Sequence, residues 1–129
     1  MTFRLFLILW VIPTLHAELP PSAYESMQAK APEYFQVEIL RVDVEPGDTP
    51  TQQKVHLVAL ITQVLRTASG AKPNEIVNIL YTTNEHPKGW VGSGAVPIPS
   101  EKERTVAYLS RTGAGEYEPA AGRMSFTNF

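Results

Sequence analysis

A mainly β domain, a small barrel of five to seven short strands entered through one short helix, is the architecture this sequence predicts. Apolar and polar residues alternate with a period of two in several segments between Phe35 and Phe126. Turn-forming proline and glycine, 11 and 8 in the chain, punctuate those segments. Only one stretch, near Ser22, reads as helix.

The chain has 129 residues, a formal net charge of -2 and no cysteine. Arg4, the unbroken apolar run Leu5 to Ile12, Pro13 and then Leu15-His16-Ala17 follow the order of a secretory signal peptide, with the mature protein expected to begin at Glu18. That run is shorter than the roughly 20 residues of a membrane-spanning helix, and no second run of that length follows. The expected division is a signal peptide over 1–17, a helical segment over 18–33 and a barrel over 34–129. A chain of this size buries one core and not two. An exported chain without cysteine fits a bacterial periplasmic or secreted protein better than an animal extracellular one, where disulfides are common. Its acidic balance and lack of a Lys/Arg cluster argue against nucleic acid as a partner, since such binding depends on neutralising cations.

Ser22 and Glu25 stand at capping-box spacing, and Ala23, Tyr24, Met27 and Ala31 share one helical face, so a helix of about two turns is expected there. It must stop near Ala31, because Pro32 disfavours helical backbone in the residue before it. Phe35, Val37 and Ile39, then Val42 and Val44, interleave with polar residues, and the alternation slips by one at Leu40-Arg41. A strand with a bulge follows from that slip. Glu45 to Pro50 is turn chemistry. Lys54 to Thr67, rich in β-branched residues, predicts one long bent strand or two in line.

Ser69-Gly70 and Lys72-Pro73-Asn74 force the next turn, and Ile76 to Tyr81 predicts a third strand. Val96-Pro97-Ile98-Pro99 cannot be an interior strand, since two of its residues lack amide hydrogens. Thr105 to Leu109 predicts another strand. Glu116-Tyr117-Glu118 and Met124-Ser125-Phe126 predict a last short pair around a Pro119 to Gly122 turn.

A long bulged strand ending in Val64-Leu65-Arg66-Thr67, the Ser69 to Pro73 turn, a strand ending at Tyr81 and a late Tyr108-Leu109 strand together resemble the OB-type Greek-key barrel of netrin-like modules, the group that includes tissue inhibitors of metalloproteinases. The resemblance covers roughly Gln36 to Phe126. It implies a barrel architecture and binding in place of catalysis. The inhibitors of that group chelate a protease zinc through an amino-terminal cysteine, which this chain lacks, so that chemistry does not carry over. OB barrels bind along their second and third strands and adjoining loops, which here singles out His56, Val58, Leu60, Thr62, Asn78, Leu80 and Thr82. Trp90, in a loop with Pro87 and three glycines, joins them. It suits a lid over an open barrel end, the preferred reading, or a displayed contact.

No catalytic constellation is legible. Beyond the apolar leader only His56 and His86 remain as histidines, with no spacing that suggests a metal site. Ser69-Gly70-Ala71-Lys72 spells the Ser-x-x-Lys motif of penicillin-binding enzymes, but glycine and proline mark a turn where that chemistry needs a helix. Gly92-Ser93-Gly94 lacks the outer glycines of a nucleophile elbow. Glu116 and Glu118 lie about 7 Å apart on one strand face, a spacing more often found on a solvated surface than in a glycosidase. The expectation is an exported, non-catalytic binding module without metal or cofactor, whose partner is a protein or an extracellular ligand. The alternative is a secreted inhibitor or accessory subunit of a hydrolase or protease.

Overall fold

The computed structural model describes residues 19–84 and 95–128. Helix α1 spans Pro21–Lys30, and six strands follow: β1 Glu33–Pro46, β2 Gln52–Arg66, β3 Ile76–Asn84, β4 Arg104–Gly113, β5 Glu116–Pro119 and β6 Phe126–Thr127. The strands run in the order β1-β2-β3-β5-β4, and β1 also pairs with β4, which closes a five-stranded barrel. The β3–β5 pair is parallel, the other pairs are antiparallel, and β6 lies outside the ring against β4.

Period-two alternation puts one face of every strand inside. Phe35, Val37 and Ile39 of β1, Leu57, Ala59 and Ile61 of β2, Val77 and Ile79 of β3, Ala107 and Leu109 of β4 and Tyr117 of β5 fill the interior. Tyr117 meets Phe35 edge-on, with centroids 5.8 Å apart and planes at 81°. The slip at Leu40 is a bulge: Ile39 pairs with Ala59 and Arg41 with Val58, so Leu40 has no partner on β2. The expected run from Lys54 forms a single strand, not two, and it ends at Arg66, one residue before Thr67. Asn74 takes a left-handed φ of 72° in the β2–β3 connection, where its amide donates to Ile61 O at 2.7 Å.

Two local expectations are corrected. The helix begins one residue before Ser22, with Pro20 as its first cap residue and Pro21 at the first helical position, and no side chain caps it. Proline presets the helical φ and has no amide to leave unpaired, so the capping box is not used. Near the other terminus, Gly122–Met124 forms a 3-10 turn and the last strand is only Phe126–Thr127. The two final strands do not pair with each other; β5 lies against β3 and β4, and β6 against β4.

The segment 95–103 crosses the barrel without becoming a strand. Tyr81 donates its hydroxyl to Pro97 O at 2.6 Å, and Thr83 donates to Val96 O at 2.7 Å. Val96 and Ile98 thereby pack on the core, and Pro99 is buried. The reading of Trp90 as a lid falls outside the described residues. The far end of the 95–103 segment joins β1, where Ile39 donates to Glu103 O and accepts from the Lys102 amide.

Leu57 is fully enclosed, whereas Leu40 stands out of the bulge. Leu57→Ala should cost about 2–5 kcal/mol through its cavity, and Leu40→Ala under about 0.5 kcal/mol as a surface change. Urea denaturation of the two variants checks this, and a Leu57→Ala midpoint equal to the parent's would contradict the packing.

Candidate functional site

The register of β1, β2 and β3 builds an ordered outer face. Across it stand Glu38, Leu60 and Ile76; then Arg41, Val58 and Asn78; then Asp43, His56 and Leu80; then Glu45, Lys54 and Thr82. Six of the eight sequence-predicted site residues are therefore neighbours on one surface. Thr62 lies beyond the first row and donates its hydroxyl to Gln36 O at 3.1 Å, an exposed tie between β2 and β1. Trp90 lies outside the described residues.

His56 Nε2 is 2.8 Å from Asn78 Oδ1. With that amide oxygen as acceptor, Nε2 carries the proton, and the pair forms the polar centre of a partly apolar face. Around it, Leu80 is 40% and Ile76 59% exposed, Leu40 at the bulge is 41% exposed, and Val58 and Leu60 are half-buried. Beside Leu80, an open groove of about 510 Å³ is lined by Asp43, Val44, Glu45, Lys54, Val55 and His56. Beside Ile76, a second groove of about 370 Å³ runs past Ser69, Gly70, Glu75, Arg111 and Tyr117. Among the described residues no cluster of three or more His, Cys, Asp or Glu side chains has the geometry to hold a metal ion.

A second polar cluster went unnoticed in the sequence. Glu33 is only 1% exposed and its carboxylate is fully engaged. Oε1 accepts from Thr67 Oγ1 at 2.6 Å and Ser69 Oγ at 3.0 Å; Oε2 accepts from the amides of Ala68 at 3.2 Å and Ser69 at 3.1 Å. The Tyr117 hydroxyl lies 3.1 Å from Ser69 Oγ and extends the chain across the barrel. Four donors on one carboxylate make a clasp between the start of β1 and the β2–β3 connection, and they commit the Ser69 proton to it. Ser69 and Lys72 sit in a turn and not on a helix, in agreement with the rejection of the Ser-x-x-Lys reading. A signal for Glu33 was present: it shares the inward parity of Phe35, Val37 and Ile39, and two hydroxyl residues, Thr67 and Ser69, follow the long strand at alternate positions.

On the outside of the same end, Arg66, Tyr34 and Tyr108 line up across β2, β1 and β4. The Tyr34 and Tyr108 rings stack at 4.5 Å, and the Arg66 guanidinium lies 5.3 Å from the Tyr34 centroid. Arg66 Nη1 also donates to Gln28 O and Ala31 O at the C-terminal end of α1, where a cation suits the helix dipole. Burial, reinforced by the Tyr34 hydroxyl and opposed by Arg66, pushes the Tyr108 phenol up to about 12. Burial raises the Tyr81 phenol as well.

Compared with protein-family models, with curated proteins and with solved structures, the chain matches none. What stands is the architecture, a small five-stranded mixed barrel with one outer strand, and the surfaces it carries.

Glu33→Ala should destabilise the domain by about 3 kcal/mol or more, because it strands four donors. Urea denaturation measures the loss, and hydrogen exchange at the Ala68 and Ser69 amides should accelerate. The raised Tyr108 phenol predicts a pH effect of fixed sign. The folded phenol keeps its proton after the unfolded one, near 10, has lost it, so stability falls as pH rises from 10 towards about 12. Denaturation midpoints across that window should drop less in Tyr108→Phe; equal slopes would contradict the assignment.

Proposed function

We propose that this domain is an exported, non-catalytic binding module that recognises a protein through the outer face of β2 and β3. The observation that carries the reading is the gathering of Leu40, Ile76 and Leu80, all at least 40% exposed, with Val58 and Leu60 on that one barrel face. Contiguous exposed apolar surface rimmed by polar residues is the signature of an interaction site on a soluble domain. The five-stranded barrel order supports the OB-like reading, and in such barrels partners lie across strands two and three. The His56–Asn78 pair gives the face a directional polar group amid apolar neighbours, as interface centres combine the two. Export rests on the Arg4 to Ala17 pattern. The narrower netrin-like reading, inhibition of a hydrolase, has the resemblance as its support, and with no cysteine it would have to work without the chelating group.

The double variant Ile76→Asp, Leu80→Asp tests the reading. Both side chains are exposed, so each change should cost under about 0.5 kcal/mol of stability. The parent protein, immobilised and exposed to the exported proteins of its own cells, should retain a defined partner that the double variant releases. Retention of the same proteins by both would overturn the assignment of the face.

A further inference from the structure

We propose that the occupant of this face is a cationic amphipathic segment of a partner protein, apolar towards Ile76 and Leu80 and carrying Lys or Arg towards both flanks. The inference rests on the binding-face reading above and deepens it. Its basis is the charge on either side of the apolar strip. On the β1 side stand Glu38, Asp43 and Glu45; on the β5 side, Glu116 pairs with Asn78 in the parallel ladder, and Glu118 follows two residues later. Glu45, Glu116 and Glu118 are exposed, with Tyr117 turned inward between the latter two.

The nearby cations offset this surface only in part, since Glu38, Asp43, Glu45, Asp48, Glu116 and Glu118 outnumber Arg41, Lys54, Arg104 and Arg111 by two. Arg41 is engaged with Asp43 at 2.9 Å and Lys54 with Asp48 at 3.9 Å, the two ion pairs among the described residues. Arg104 stands opposite Glu38 on β4 without forming an ion pair, and Arg111 Nε donates to Gly113 O. Four carboxylates, Glu38, Glu45, Glu116 and Glu118, form no ion pair among the described residues and border an apolar centre. Like charges on both margins raise a negative potential over the strip between them, which attracts a cationic ligand and repels an anionic one.

Geometry argues for a segment laid on the face and against a strand added to an edge. Beyond Ile39, β1 leaves its β4 side, but that run carries Arg41, Asp43, Glu45 and Pro46, and the Val42 amide is already turned to Glu101 Oε2 at 3.4 Å. Charged side chains and proline are the usual guards against edge pairing. The face itself runs from Ile76 to Leu80, about 13 Å along a strand, and meets a groove at each end. That length matches about two and a half turns of a helix, enough for apolar anchors at i, i+3 or i+4, and i+7.

Fluorescence anisotropy with three synthetic peptides of about 14 residues tests the proposal. One places leucine on one helical face and lysine on the other; the second replaces every lysine with glutamate; the third scrambles the first so that no apolar face remains. The leucine–lysine peptide should bind about tenfold or more tighter than either of the others, and its affinity should fall as sodium chloride rises. Glu116→Gln, Glu118→Gln should weaken it several-fold without moving the denaturation midpoint. Ile76→Asp, Leu80→Asp should reduce binding to the level of the scrambled peptide.

Equal binding of the lysine and glutamate peptides, or of the scrambled one, overturns the proposal. So does undiminished binding to the Ile76→Asp, Leu80→Asp variant, which would move the ligand off this face. If the face retains a defined exported partner while the leucine–lysine peptide fails to bind, the cationic-segment proposal falls and the binding-face reading stands. Self-association, read by sedimentation and abolished by Ile76→Asp, Leu80→Asp, would make a second copy of the chain the occupant and likewise overturn it.

Discussion

Barrel closure depends on β1 pairing with two strands at once. Over Glu33 to Glu38 it lies between β4 and β2, and past Ile39 it continues with β2 alone. A strand in register with both neighbours has to curl, and the unpaired Leu40 supplies the extra residue at which the twist sharpens and the ladder changes phase. Val37 and Ile39 before the bulge and Val42 after it then all turn inward. Without that local irregularity, every side chain beyond Ile39 would point to the wrong face.

The closed ring is fastened with buried polar groups as well as apolar packing. Glu33 ties the first residue of β1 to the turn after β2, and Arg66, at the end of β2, holds the carbonyls at the end of α1. Both are charged residues at strand ends, where the core gives way to connections whose amides and carbonyls need partners. Gln28 adds a bond to Met124 O, and Arg123 lies 5.0 Å from the Tyr24 ring centroid, so the helix is anchored to the C-terminal turn too. Gly122, with a φ of 56°, lets that turn approach: a Cβ there would stand 3.3 Å from the Tyr24 ring.

These fastenings leave the outer face of β2 and β3 around Ile76 to Leu80 with few internal duties. The side chains that hold the fold together lie inside the barrel or at its ends, whereas the row from Ile76 to Leu80 contributes only a hydrogen bond between His56 and Asn78. A barrel closed on itself offers few edges, so what it presents outward is side chains on a face. An apolar strip held between acidic margins is a surface of that kind.

Alternation alone was enough to determine most of this architecture. The strands, the bulge at Leu40 and the inward set from Phe35 to Ile61 follow from a period of two that any extended chain must obey, and the outer face of β2 and β3 is its complement. The capping box misled because local spacing cannot reveal that two prolines already define the helix start. The pairing of β5 was not legible either, since a parallel ladder between β3 and β5 joins residues far apart in the chain and leaves no mark on either segment. Glu33 carried the right parity, but its four donors come from a turn more than thirty residues away. The acidic margins have the same origin: Glu45 and Glu116 come to flank one strip because β1 pairs with β2 and β5 with β3, and the second of these pairings joins segments distant in the chain that neither encodes by itself.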